Sequence, residues 1–306
     1  MYTPAEHLDN YIEFSRLEKL TSGPGPHRKV AERLALESSD PAWAIGLYGM
    51  AYTTAGMEVL LSFYPTRESH VQHADTVAHL VPRRDERVVN GFGPTRLREM
   101  LLSYQGWLDD GGLERAQSAE CFDEAFKLVG GQLTHFGRFF GIKLYEALER
   151  TMGLPHFDDV RPKNGHWSRR TLQLFEPTHD PFSNKRADQD EANEIAWQVR
   201  AAAYGRGVDL SYFEVESMLC NYRQALNGEK YPGGDVDGDL GYVRQGQLLN
   251  PGLEFRTLHH RKEIVPVWAR GEARDWDGKR PLGSLFRDTG RWHTDLPVWR
   301  HECSSA

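Results

Sequence analysis

Cysteine is scarce in this chain. Cys121, Cys220 and Cys303 are far apart and odd in number, so they give neither a disulfide framework nor a metal-binding spacing. A reducing compartment is expected, and no metal or cofactor. No run of ~18 apolar residues is present, which leaves out a membrane-spanning helix. The opening residues Met1-Tyr2-Thr3-Pro4-Ala5-Glu6 lack the basic and apolar regions of a secretion signal, and the expected location is the cytoplasm. A nucleotide-cradling P-loop is missing too. Gly-x-Gly occurs at 23–25 and 91–93 without the following Gly-Lys-[Ser/Thr], and Gly278-Lys279 lacks the upstream glycine and the hydroxyl residue. Strict two-residue alternation is nearly absent, so strands should be few. There is no excess of basic residues either. The net charge of −7 argues against a broad nucleic-acid footprint, leaving only local basic clusters to supply one.

What is there is helical periodicity. The 306 residues, 39% of them apolar, can bury a full core as one large domain or two small ones. Helical spacing predicts helices near 5–20, 27–37, 41–63, 67–80, 94–108, 120–129, 137–151, 188–204 and 209–227. Asp40-Pro41 reads as cap and first-turn proline, and the helix that follows is apolar on most sides. In the 137–151 helix, Phe140, Leu144 and Leu148 form an inward face with Phe136 just before it. The expected fold is mainly α. A helical body spans 1–260, and an irregular C-terminal extension at 261–306 packs on it.

Leu133-Thr134-His135-Phe136-Gly137 reads as a tight turn feeding that helix. Helix-hairpin-helix DNA glycosylases carry a Leu-Pro-Gly-[Val/Ile]-Gly turn, a helix, and an essential Asp about twenty residues beyond the second glycine. Here Gly137 takes the second glycine's place, His135 stands where the first should be, and Asp158 lies 21 residues after Gly137. The resemblance implies a glycosylase-like helical fold with Gly137 against DNA and a base flipped out of the duplex. The lysine of lyase-type relatives is replaced by Phe139, so lyase chemistry is not expected.

Charge clusters mark further candidates. The segment from Arg161 to Arg170 holds Arg161, Lys163, Arg169 and Arg170 with His166 and no acid, and is expected to face DNA phosphate. Asp158 and Asp159 stand beside it. A carboxylate there could act as general base while Arg and Lys hold an anion. Farther on, Glu216, Cys220 and Arg223 share one helical stripe. Beyond them Lys230-Tyr231-Pro232-Gly233-Gly234 leads to Asp235, Asp237 and Asp239 at alternate positions. The alternatives for that last run are a turn capping the next helix and a calcium loop, although the glycine and glutamate of an EF-hand are out of place.

Two segments carry a more specific resemblance. Phe136-Gly137-Arg138-Phe139-Phe140-Gly141-Ile142-Lys143-Leu144-Tyr145-Glu146-Ala147-Leu148 is one. The other runs from Glu216 to Leu226 and ends in Lys230-Tyr231-Pro232-Gly233-Gly234-Asp235-Val236-Asp237. Over roughly 10–245 the chain resembles the family first named alpha-glutamyl/putrescinyl thymine pyrophosphorylases (clade 2), from bacteriophage pathways that hypermodify thymine in DNA. The resemblance implies an amino acid:DNA transferase in an infected bacterial cell. Its partners would be double-stranded DNA carrying a modified thymine, a free amino acid such as glycine or serine, and other hypermodification enzymes. It implies Asp158, Asp159 and Glu216 as candidate bases. Arg138, Lys143, Arg161, Lys163, Arg223, Tyr231 and Asp235 would bind substrate, and Gly137, His166, Arg169 and Arg170 would bind DNA. A 5-hydroxymethyluracil DNA kinase component is an alternative, weakened by the missing P-loop. A non-catalytic DNA-binding module is another.

Overall fold

The structure is a computed structural model that describes residues 2–20, 26–69, 71–82, 94–157, 166–227, 232 and 234–264. Its helices are α1 (Pro4–Leu20), α2 (Pro26–Leu36), α3 (Pro41–Ala51), α4 (Thr54–Phe63), α5 (Ala74–Leu80), α6 (Pro94–Asp109) and α7 (Gly112–Gln117). They continue as α8 (Phe122–Val129), α9 (Gly137–Met152), α10 (Trp167–Phe175), α11 (Arg186–Gly205), α12 (Tyr212–Leu226), α13 (Gly234–Leu249) and α14 (Thr257–Ile264). Among the described residues there is no strand, so the protein is mainly α as expected. None of these helices is long and apolar enough to cross a membrane.

The chain divides into two compact units. One comprises 1–24, 158–236 and 265–306, and the other 25–157 and 237–264. The expected extension at 261–306 opens as the end of α14, and from 265 onward it lies outside the described residues.

In the first unit α10 and α12 pack closely, with α1 and α11 against them. Their core joins Tyr11, Phe14 and Leu17 of α1 to Ile195 and Val199 of α11 and to Val215, Met218, Leu219 and Tyr222 of α12. Ser211 starts α12 with a capping box. Its hydroxyl accepts from the Glu214 backbone N–H, and Glu214 returns the bond to the Ser211 N–H. Glu214 also receives Lys19 of α1 at 3.0 Å, which ties the two helices.

The second unit is built around α3, whose ten residues from Ala42 to Ala51 are all buried. Asp40 caps it, accepting from the Trp43 backbone N–H at 3.2 Å, and Pro41 occupies the first turn where its missing N–H costs nothing. Trp43, Tyr104 and Trp107 stack in series, with centroids 5.9 and 5.6 Å apart. Gly46 makes room for that stack, because a Cβ there would meet the Tyr104 ring at 1.9 Å.

The single helix expected over 41–63 is two helices. Tyr52 turns left-handed at φ 55°, and Thr53 caps α4 by accepting from the Gly56 N–H at 2.9 Å. The Thr53 hydroxyl donates in turn to the Pro82 carbonyl at 2.7 Å. Apolar periodicity runs straight through this break, which is why spacing alone conceals it. The inward face of α9 is as expected, with Phe136, Phe140, Leu144 and Leu148 buried.

Candidate functional site

In the second unit, α8 and α9 pack against each other across a short connecting turn. The turn between them places His135 at φ 63° and Gly137 at φ 57°. Both are left-handed, a conformation natural for glycine and uncommon for histidine. His135 thus adopts the backbone that the resemblance would give to a glycine. Its ring is held by Glu99 of α6 at 2.5 Å, and the Thr134 N–H donates to the Ser103 hydroxyl at 3.0 Å. The two helices cross closely where Gly130 faces Gly141, since a Cβ on Gly141 would lie 2.6 Å from the Gly130 Cα.

Beneath the hairpin helix lies a buried ionic cluster. Glu146 on α9 is 1% exposed and pairs with Arg28 of α2, with Lys143 at 3.7 Å and with Arg150 at 3.6 Å. Arg150 also reaches Glu32 at 3.6 Å. Burial pushes the Glu32 and Glu149 carboxyls above the usual carboxylate range. Lys143 therefore does not hold an external anion as expected. It is buried and its charge is spent on Glu146. The lysine stem reaches inward because position 143 falls on the packed face of α9.

In the first unit the structure brings His166 to Glu216, with Nδ1 3.9 Å from the carboxylate. His166 flanks the start of α10 and Glu216 sits on α12, and both are half-buried. A carboxylate and an imidazole at this spacing can accept and pass on a proton. Arg223, seven residues along from Glu216, lies half-buried on the same helix. Burial lowers its pKa below the usual guanidinium value, and the nearby charge of Arg170 lowers it further. His7 of α1 is lowered by burial and then by Arg223. Its ring hydrogen-bonds the Tyr222 hydroxyl at 3.2 Å.

Arg169 is a correction. Expected to face DNA, it is fully buried and donates to the Ser183 and Asp188 carbonyls at 2.9 Å and to His179 at 3.2 Å. These bonds fasten α10 to the 176–185 loop and to the start of α11. Adjacent arginines on a helix point ~100° apart, so Arg169 turns fully inward while Arg170 lies half-buried against Trp167 and Phe182. Sequence reasoning treated the two alike. On α14, His260 and Arg261 are likewise buried.

Asp158, Asp159, Arg161, Lys163 and Tyr231 lie outside the described residues, as does the side chain of Arg138. Asp235 falls in the first turn of α13, and its side chain is likewise not described. The alternating aspartates occupy helical backbone, which removes the calcium-loop alternative. Among the described residues one group has metal-ligand geometry, His259, His260 and Glu263 on α14, a cluster that sequence spacing did not single out. Comparison with protein-family models, with curated proteins and with solved structures finds no match.

Proposed function

We propose that this chain is an amino acid:DNA transferase with a glycosylase-like helix-hairpin-helix fold. In this reading it grips DNA through the α8–α9 hairpin and acts on a flipped uracil base that carries an activated phosphate on its 5-methylene. The observation that carries the reading is the left-handed pair His135 and Gly137, which supports a DNA-binding hairpin even though one motif glycine is absent. The resemblance of the α9 and α12 segments to thymine-hypermodification proteins supports the choice of reaction.

The chemistry needs a base, because an amine is inert as a nucleophile while protonated. Glu216 takes that proton, with His166 beside it to pass the proton on. The amine nitrogen then bonds to the methylene carbon, the carbon–oxygen bond to phosphate breaks, and phosphate leaves with the bonding pair. The test is mass spectrometry of nucleosides from phosphomethyl-uracil DNA treated with the protein and mixed amino acids. An amino-acid adduct that disappears in Glu216→Gln, with DNA binding retained, is the expected result. Abasic sites would mean a glycosylase instead, and unaltered DNA would leave a binding module.

A further inference from the structure

Beyond that reading, and independent of it, we infer that Arg170 and Arg223 form a binding site for a dianionic phosphate monoester. Neither guanidinium has a carboxylate partner among the described residues, and the Nε of each is buried without a hydrogen bond. This is unusual in a chain rich in acids. Other arginines here find one: Arg16 has Glu13, Arg67 has Asp40, Arg206 has Asp9 and Arg28 has Glu146. Two like charges on the packed helices α10 and α12 repel each other and raise the cost of burial, a cost that an anion between them would remove.

The site is also built. Arg170 lies over the Trp167 ring at 5.1 Å and the Phe182 ring at 4.8 Å. Aromatic faces hold a guanidinium in place while leaving its edge N–H groups free to bond an oxyanion. Phe182 is 58% exposed, so this arrangement is open to solvent on one side. His7, shifted toward its neutral form first by burial and then by Arg223, adds an N–H or a lone pair rather than a third charge. Two fixed positive charges match the charge of a phosphate monoester near neutral pH, of about −1.5 to −2. A carboxylate would neutralise only one of them. Arg223, implied by the resemblance to bind substrate, is thereby given a phosphate as its ligand.

The test is isothermal titration calorimetry of the full chain with phenyl phosphate, with acetate, and with a short oligothymidine lacking terminal phosphate. Phenyl phosphate should bind saturably and at least tenfold more tightly than acetate or the diester. Arg170→Met and Arg223→Met should each weaken it at least tenfold. Arg223→Met should not lower the thermal midpoint of the unliganded protein, since it removes an uncompensated charge and keeps the side-chain volume. Should either variant fail to fold, Phe182→Ala at the exposed ring reads the same site and should weaken binding several-fold. The inference is overturned if phenyl phosphate does not saturate, if acetate or the diester binds equally well, or if affinity is unchanged in the folded variants. None of these probes contains a modified base, so failure here leaves the transferase reading standing, and the reverse holds too.

Discussion

Glu146 faces three cations, Arg28, Lys143 and Arg150, from a position almost closed to water. Removing one member of a buried pair strands the others, and the loss exceeds what the pair itself contributes. Glu146→Ala should therefore cost about 3–5 kcal/mol. The double change Arg28→Met with Glu146→Leu should cost less than the single one, because apolar replacements leave fewer charges stranded. Urea unfolding of the three proteins measures this, and equal losses would mean that the cluster is more hydrated than its burial indicates. Arg169 is also buried, and its donors reach the Ser183 and Asp188 carbonyls and His179. An arginine's neighbours, not its charge, decide whether it belongs to the surface.

At the scale of elements, the hairpin rests on a glycine contact. Gly130 ends α8 and Gly141 lies one turn into α9, so their backbones approach without a side chain between them. Gly141→Ala gains helix propensity but drives a methyl into backbone that cannot swing aside. Overpacking of this kind costs about 1–3 kcal/mol, against a propensity gain of about 1 kcal/mol. A net loss of thermal stability is the expected outcome. Neutral or raised stability would mean that the two helices separate freely. Position 141 looked like an ordinary helix interior in the sequence, and only the facing glycine explains it.

For the whole molecule, three buried or half-buried carboxyls among the described residues bear on the acid side of stability, against the exposed Glu6 and Glu68, which are lowered by hydrogen bonds. Glu32, Glu58 and Glu149 are raised above their ordinary value near 4.5, in each case first by burial. The folded protein then holds protons that the unfolded chain has released, so stability falls as pH rises from about 4.5 through the raised pKa values. His7 acts the other way. Its pKa lies below the ordinary 6.5, so its contribution is present above 6.5 and is lost as pH falls through the lowered value. Unfolding midpoints measured across this range should slope downward with pH, and Glu32→Gln with Glu149→Gln should flatten the slope. An unchanged slope in that double variant would assign the pH dependence to other groups.

Apolar spacing, caps and turn residues are local, and they carried the helical class, most helix positions and the inward face of α9. The tight turn feeding α9 was legible too, because the demand for a left-handed residue before the helix shows in Gly137. The break at Tyr52-Thr53 was not, since apolar spacing runs through it and the Thr53 hydroxyl's acceptor, Pro82, is remote in the chain. Nor was the division into two units, which interleaves distant segments. Charge was the least legible property of all. Lys143, Arg169 and Arg170 are equal cations in the sequence. The fold buries Lys143 against a carboxylate, ties Arg169 to carbonyls and leaves Arg170 near Arg223 without an acid partner among the described residues. The energy of an ionisable group depends on its burial and on what lies within a few ångströms, and those neighbours come from helices that only the tertiary structure brings together.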